Sequence, residues 1–488
     1  MAPSIVHLPD GQNFTVQPVF SGLFFKSNEI NTHPTPFPAG WTVVLHSEDN
    51  PTNDIDGEDG EGSDSISRRN HIHKYSKPTL QNDTVFISSI SNPSSSDYRP
   101  HASASRQIAL MVWITLYWYF QQPEPSPFLE TKQSRLTPAA AKPKGDWRIR
   151  IKREGVLRTR NMIPKLERMG LISTMESAVG TGTDENHQGW DNMFVSKSMF
   201  WQIPSGLFLF TLQPMRQSSH PGSPVSSRPT SPIRNESPHK HHHHLPSTAS
   251  MLSIDTQSNI ISMPGLPIGP YFSPSGLPTH YPPPPLQYTI THNIRHPVRR
   301  KPPRMGEIFY TRFVPSVGRY LSFRVASLSP KPVPNLGPIG PAERENAHLC
   351  VLDDTSLLQM WLAKPRVSAF WGEHHAAFLS DALRSRHSFP VIGMWDGVPF
   401  GYFEIYWVKE DPLGRHMGGE ALDFDRGMHV LVGEEWARGR VQQWISGLIH
   451  WCWQMENRTM NIYLEPRIDN QRYVFYMSSK GELRVVIR

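Results

Sequence analysis

Residues 390–408, PVIGMWDGVPFGYFEIYWV, contain two apolar runs separated by Asp396 and Gly397. Asp-Gly between two apolar runs is typical of a two-residue hairpin turn, because both turn positions need a positive φ. Residues 428–432, MHVLV, are β-branched and apolar, and they predict a third strand that ends at Gly433. This stretch therefore predicts the centre of an antiparallel sheet.

A helix and another strand are predicted after this sheet. Apolar side chains recur at three- and four-residue spacing from Val441 to Cys452, which is typical of a helix with one buried face. Residues 460–464 then predict a strand that ends before Pro466. The order strand, loop, helix, strand is compatible with phosphate binding, because the backbone N–H groups at a helix start are unpaired.

The loop before the helix carries Arg438, Gly439 and Arg440. Arginine adds charge-assisted hydrogen bonds to a phosphate. By itself such a loop is more often a solvated turn, so the pattern needs support from its surroundings.

Four runs provide that support by resemblance: FWGE (370–373), PVIGMWDGVPFGYFEIYWVKED (390–411), DRGMHVLVGEE (425–435) and EPRIDN (465–470). They resemble the siderophore-assembly acyltransferases that acylate an N-hydroxylated ornithine or lysine, a branch of the GNAT N-acyltransferase superfamily. The fungal hydroxyornithine acyltransferases are the most similar. The resemblance covers about residues 300–470 and extends toward the N-terminus through LPDGQ (8–12) and RQIALMVWITLYWYF (106–120).

The resemblance implies an α/β (α+β) fold in the C-terminal half, with a twisted, mostly antiparallel sheet whose central strands splay apart around the thioester arm of an acyl-CoA. It implies that His429 and Asp469 are catalytic. It also places the CoA pyrophosphate against the loop that contains Gly433, Arg438, Gly439 and Arg440.

The expected chemistry is direct attack of a hydroxylamino nitrogen on the thioester, because an N-hydroxylated amine is largely unprotonated near neutral pH. Such a reaction needs substrate proximity, a base and an oxyanion donor. His429 is the expected base, Asp469 would orient its imidazole or hold the hydroxylamino group, and a backbone N–H near Leu431 would face the oxyanion. No metal and no permanently bound cofactor are expected, since the acyl-CoA is a co-substrate.

Glu404, Trp407 and Asn470 are the candidate substrate contacts. Each candidate also has a structural alternative. A histidine in an apolar strand is commonly a satisfied core residue, and Asp469 followed by Asn470 is common at a helix N-cap. Glu404 is equally compatible with a rim carboxylate, and the aromatic side chains around it with core and cleft wall.

The composition predicts two folded parts joined by a linker. The 488 residues include 47 prolines and are only 38% hydrophobic, so part of the chain cannot form a core. We expect a degenerate acyltransferase-like domain at 1–213 with a disordered acidic insert at 49–67, a disordered Pro/Ser/His-rich linker at 214–303, and the acyltransferase domain at 304–488. The sequence after Arg472 departs from the family pattern, which predicts an aberrant or truncated end to that domain.

The net charge of +6 and the pI near 9.2 raise nucleic-acid binding as a rival function, with the basic residues 148–172 as its candidate segment. The charge is dispersed, however, and a basic surface also suits CoA phosphates. We therefore expect small-molecule partners, no nucleic acid and no membrane, and we name a homodimer as the candidate assembly. The apolar run 108–120 is too short to span a bilayer and predicts a buried helix.

Cys350 and Cys452 cannot form a disulfide framework, which favours a reducing, cytoplasmic location. The final residues lack a Ser-Lys-Leu peroxisomal signal, so a peroxisomal location is disfavoured. Among the resembling enzymes, cytosolic forms use acetyl-CoA and peroxisomal forms use anhydromevalonyl-CoA. The sequence thus favours acetyl transfer to N5-hydroxy-L-ornithine, with anhydromevalonyl transfer to the same acceptor as the alternative.

Overall fold

The computed structural model describes the residues in the following ranges: 2–20, 22–28, 38–48, 72–91, 104–129, 136–159, 161–173, 193–212, 286–466 and 469. The expected acidic insert 49–67, most of the expected linker, and the residues after Arg472 lie outside these ranges.

The N-terminal part is built on an eight-stranded sheet with the order β1-β2-β3-β4-β6-β7-β8, in which β5 pairs with β4. Its strands are β1 (Ser4–His7), β2 (Asn13–Val19), β3 (Gly22–Ser27), β4 (Gly40–Glu48), β5 (Ile72–Lys74), β6 (Asp83–Ser91), β7 (Arg148–Ile151) and β8 (Phe194–Ser196). Its helices are α1 (Ala104–Tyr119), α2 (Met162–Arg168), α3 (Lys197–Gln202) and α4 (Ser205–Leu212).

Helix α1 confirms the buried helix that the apolar run predicts, since every residue from Ile108 to Tyr119 is buried. Burial on all sides follows from the lack of a polar face in this run. The indole N–H of Trp41 on β4 donates to Thr115 of this helix at 3.2 Å, which fixes α1 on the sheet. Within the described ranges, no helix is both long and apolar enough to cross a membrane.

The C-terminal part is built on a six-stranded sheet with the order β11-β12-β13-β14-β15-β16. Its strands are β11 (Ile308–Val314), β12 (Arg319–Val325), β13 (Ser388–Trp395), β14 (Val398–Trp407), β15 (Arg426–Val432) and β16 (Ile462–Tyr463). Its helices are α5 (Asp354–Leu362), α6 (Pro365–Trp371), α7 (Phe378–Arg384), α8 (Pro412–His416) and α9 (Val441–Met455).

The predicted hairpin and helix are confirmed. Asp396 and Gly397 have φ values of 48° and 81°, as a two-residue turn between β13 and β14 requires. Helix α9 buries the predicted apolar face against one side of the sheet, with Trp444 and Leu448 fully enclosed. The fourth predicted strand is shorter than expected, because β16 contains only Ile462 and Tyr463.

Neighbouring strands from β11 to β15 are antiparallel, whereas β15 and β16 are parallel and are connected through α9. The N-terminal sheet has a similar unit, since β6 and β7 are parallel and the chain between them contains α1. This shared strand–helix–strand arrangement is what the expected acyltransferase-like N-terminal domain would contain.

The predicted C-terminal boundary of the linker is wrong. Residues 288–297 form a hairpin of β9 (Tyr288–Thr291) and β10 (Ile294–Pro297), and Arg299 pairs with Glu410 at 2.6 and 2.7 Å. The run Tyr288–Thr291 before the positive-φ residues His292 and Asn293, and Ile294 after them, suit a hairpin, which the high proline content nearby obscured.

Candidate active site

His429 lies on β15 directly opposite Glu404 of β14, so both side chains emerge on the same face of the sheet. Its Nδ1 is 3.0 Å from Oε2 of Glu404. Its Nε2 is 2.9 Å from Oε1 of Glu465, which follows β16 by two residues. The imidazole thus bridges two carboxylates, one on β14 and one in the segment that follows β16.

Two tyrosines hold these carboxylates. The Tyr402 hydroxyl donates to Oε1 of Glu404 at 2.7 Å, and the Tyr406 hydroxyl donates to Oε1 of Glu465 at 3.1 Å. Burial raises the pKa of both phenols, and the neighbouring carboxylates raise it further, so both remain donors. Each carboxylate therefore has a fixed orientation toward His429.

Gly427 explains how Tyr406 reaches across the strand. A Cβ at Gly427 would lie 2.1 Å from the Tyr406 ring, so only glycine leaves room for this phenol above β15. The ring also packs on the imidazole of His429, with centroids 4.6 Å apart. The Arg-Gly-Met-His run thus supplies both the histidine and the glycine that leaves room for Tyr406.

The two carboxylates determine the charge of His429. Burial lowers its pKa, but the hydrogen bonds and negative charges of Glu404 and Glu465 outweigh burial and raise the pKa to about 9. The ring is then an imidazolium at neutral pH that donates from both nitrogens. This does not fit the expectation of a neutral His429 poised as the resting base.

Asp469 is not placed as expected. It lies in an exposed turn, while both ring nitrogens of His429 have Glu404 and Glu465 as partners. Glu465 therefore takes the orienting role that the sequence assigned to Asp469. A role for Asp469 on the substrate stays a prediction, and Asn470 lies outside the described residues.

The edge of β15 opens beyond Gly427. Strand β16 pairs only with Arg426 and Gly427, so within the described residues no strand pairs with Met428 and the residues after it on this side of β15. On this open edge, the indole N–H of Trp371 donates to the Val430 carbonyl at 3.1 Å. The resemblance places the acyl-thioester arm at this edge of β15, beside His429.

The backbone N–H of Leu431 does not face this open edge. Gly433 donates its N–H to Phe400 of β14 at 3.0 Å, and N–H directions alternate along a strand, so Leu431 also points toward β14. The N–H groups of Val430 and Val432 face the opening instead. The expected oxyanion donor is therefore a neighbour of Leu431.

The predicted phosphate loop forms a short 3-10 helix, Glu435–Arg440, that leads directly into α9. Arg438 is exposed, and Gly439 has open space where a Cβ would be. Arg440 is half-buried, with its guanidinium 5.5 Å from the ring centroids of both Trp395 and Trp436. Burial, with the nearby Arg319 charge, lowers the pKa of Arg440.

Gly433 contributes a structural contact. Its carbonyl accepts from Nζ of Lys364 and from Arg366, each at 2.9 Å. These contacts tie β15 to α6. Arg438 and Gly439 are exposed residues of this loop, and their role in binding a phosphate stays a prediction.

The structure excludes Trp407 from the face that carries His429. Trp407 pairs with Arg426, and because side chains alternate along a strand, both lie on the opposite face from Glu404. There Trp407 packs against the guanidiniums of Arg299 and Arg426, with centroid distances of 4.2 and 3.3 Å. Trp407 therefore does not lie beside His429 as expected, and a substrate contact from it stays a prediction.

Comparisons with known proteins agree with this geometry. Residues 351–485 match the family described as "Acetyltransferase (GNAT) domain". The mostly antiparallel sheet with its opened parallel pair and this match define a GNAT acyltransferase, an acyl-CoA-dependent N-acyltransferase, which confirms the expected fold class.

Three curated relatives are similar. The N5-hydroxyornithine acetylase of Beauveria bassiana is 53% identical over 99% of this chain and 97% of its own length. The N(6)-hydroxylysine O-acetyltransferase of Escherichia coli is 38% identical over 37% of this chain and 52% of its own. The N(5)-hydroxyornithine:cis-anhydromevalonyl coenzyme A-N(5)-transacylase of B. bassiana is 32% identical over 43% of this chain and 48% of its own. The chain belongs to the family of the N5-hydroxyornithine acetylase.

Proposed function

We propose that this protein transfers the acetyl group of acetyl-CoA to the N5-hydroxylamino nitrogen of N5-hydroxy-L-ornithine and so forms a hydroxamate for siderophore assembly. The observation that carries the proposal is the Glu404–His429–Glu465 group beside the open edge of β15. The near full-length similarity to an N5-hydroxyornithine acetylase supports the same acceptor.

The reaction needs one bond formed and one broken. The hydroxylamino nitrogen attacks the thioester carbonyl, the C–N bond forms, and the C–S bond breaks as CoA leaves with a proton. As the C–N bond forms, the nitrogen becomes acidic and loses its proton to a nearby carboxylate, which then passes a proton to the leaving thiolate. We assign this step to Glu404, whose side chain is 19% exposed, compared with 7% for Glu465.

In this proposal, the positive charge of His429 contributes to the reaction as well as its position between the two carboxylates. With both carboxylates ionised, one imidazolium and two carboxylates carry one net negative charge, which also favours the ammonium group of an ornithine-like acceptor. The imidazolium stabilises the pair of carboxylates while one of them exchanges a proton. The open-edge N–H groups of Val430 and Val432 supply the oxyanion donors.

The alternative donor is anhydromevalonyl-CoA, because a relative named for that donor aligns with 43% of this chain. The test is an assay of the purified full chain with N5-hydroxy-L-ornithine and either acetyl-CoA or a bulkier, branched acyl-CoA. Release of CoA thiol and the iron colour of the hydroxamate are measured together. Acetyl-CoA should give the higher kcat/KM, and a preference for the bulky donor would reverse the assignment.

The remaining expectations are part of this proposal. We propose a cytoplasmic location, supported by the presence of only two cysteines in the sequence, and small-molecule partners without nucleic acid. The proposal also includes a homodimer, which size-exclusion chromatography with light scattering of the purified chain would test. Salt-dependent binding of the purified protein to duplex DNA would contradict the exclusion of nucleic acid.

A further inference from the structure

A cavity of about 130 Å³ lies on the face of the C-terminal sheet opposite His429, between the start of β13, the end of α9 and residues 297–303. Its wall contains three aromatic side chains, Trp407, Phe424 and Trp451. Six positively charged side chains also line it: Arg299, Arg300, Lys301, Arg386, Arg426 and Arg458. Such a density of cations at one cavity suits an anionic ligand.

Arg426 is the most unusual member of this wall. It is 6% exposed, and its guanidinium lies 3.3 Å from the Trp407 ring centroid and 5.6 Å from that of Trp451. Its Nε is buried without a hydrogen-bond partner. Within the described residues Arg426 forms no ion pair, although the charges of Glu456 and Glu410 act on it from a distance and raise its pKa. Burial lowers the pKa of Arg426 to about 10, which leaves it charged at neutral pH. A buried, unpaired charge is costly, so this arrangement indicates a missing anion.

Two neighbouring arginines already have carboxylate partners. Arg299 is neutralised by Glu410, and Arg458 by Glu456 at 2.6 and 2.8 Å. Arg386 is exposed at the cavity and, within the described residues, forms no ion pair. Arg426 therefore carries the buried charge that remains to be balanced, and Arg386 lies at the edge of the same cavity.

We propose that this cavity binds the phosphate group of a small molecule, with Arg426 as the buried ligand and Arg386 as the outer one. A guanidinium stacked on an aromatic ring is rigid and weakly hydrated, and its N–H edge matches phosphate oxygens. The cavity holds more than a phosphate alone, so it suits either free phosphate or a small phosphorylated metabolite.

This site is distinct from the predicted CoA loop. That loop precedes the first residue of α9, Val441, whereas the cavity lies beside its last residue, Met455. A 15-residue helix separates its ends by roughly 22 Å at 1.5 Å per residue. One CoA phosphate group bound at the loop therefore does not occupy Arg426.

The test is calorimetric titration of the full chain with inorganic phosphate, and separately with glycerol 3-phosphate, at constant ionic strength and with CoA saturating. The variants are Arg426→Met and Arg386→Met, and the matched control is Arg415→Met, an exposed arginine on α8. Loss of one charge-assisted contact should weaken phosphate binding roughly tenfold in Arg386→Met. Binding should be lost in Arg426→Met and unchanged in Arg415→Met.

Arg386→Met decides the test if Arg426→Met fails to fold, because its side chain is exposed. Tighter binding of glycerol 3-phosphate than of inorganic phosphate would support a phosphorylated metabolite, and the reverse would support free phosphate. The proposal is overturned if the wild type shows no saturable phosphate binding with CoA present, or if Arg386→Met binds phosphate as the control does. Transferase activity is not part of the readout, so failure of the proposed function would not affect the result.

Discussion

Nε2 of His429 lies 2.9 Å from Oε1 of Glu465, two residues that are 36 positions apart in the sequence and meet across the opening between β15 and β16. Together with Glu404 on Nδ1, this contact makes His429 a cation at neutral pH. The proton acceptor that we propose is therefore the carboxylate of Glu404, which His429 contacts through Nδ1.

Removing one carboxylate should lower the pKa of His429. Glu465→Gln keeps the shape of the side chain and removes its charge, so the pKa should fall from about 9 in the wild type by roughly one to two units. The measurement is the pH titration of the His429 ring signals by NMR. Glu420→Gln, at an exposed position, is the matched control. An unchanged His429 titration in Glu465→Gln would contradict the contact.

The raised pKa of His429 also predicts a pH-dependent stability. Its ordinary value is 6.5 and its folded value is about 9, so its stabilisation is complete below pH 6.5 and is lost as the pH rises through 9. The contribution is about 1–2 kcal/mol after a discount for partial solvent exposure.

The measurement is urea unfolding of the wild type and of His429→Gln between pH 6 and 10. The difference in unfolding free energy between the two proteins should shrink over the upper part of this range. A difference that stays constant, or grows, with rising pH would show that His429 is not charged in the folded protein.

Gly427→Ala should destabilise the protein, because the new Cβ would lie 2.1 Å from the Tyr406 ring and would force this buried phenol to move. Overpacking of this kind costs about 1–3 kcal/mol. Thermal unfolding measures the effect, and Gly439→Ala, where nothing lies within 4 Å of the new Cβ, is the control for stability. Equal melting temperatures of the two variants would contradict the packing of Tyr406 over Gly427.

Local patterns predict the framework of the site correctly. The Asp396-Gly397 turn, the strand that carries His429 and the buried face of α9 each follow from short-range preferences or from a single period. Glu404 also follows, because alternation along β14 places it on a definite face. The same alternation places Trp407, three residues later, on the opposite face of the sheet. The sequence alone could therefore have shown that Trp407 and Glu404 do not share a face.

The identity of the carboxylate that meets His429 could not be predicted in this way. Glu465 and Asp469 are in the same EPRIDN run, and the resemblance points to the aspartate. Which of them reaches the imidazole depends on where β16 ends and on the position of Tyr406, both of which are tertiary features. The unpaired Arg426 is likewise visible only once β15 and α9 are packed together.

Steady-state hydroxamate formation by Glu465→Gln and Asp469→Asn tests the Glu404–His429–Glu465 centre most directly. Loss of the carboxylate that holds the catalytic imidazolium should lower kcat of Glu465→Gln roughly 100-fold or more, with KM for acetyl-CoA little changed. Asp469→Asn should retain most of its kcat, with any loss in KM for the hydroxylamine. A large loss of kcat in Asp469→Asn together with wild-type kcat in Glu465→Gln would contradict the Glu404–His429–Glu465 centre.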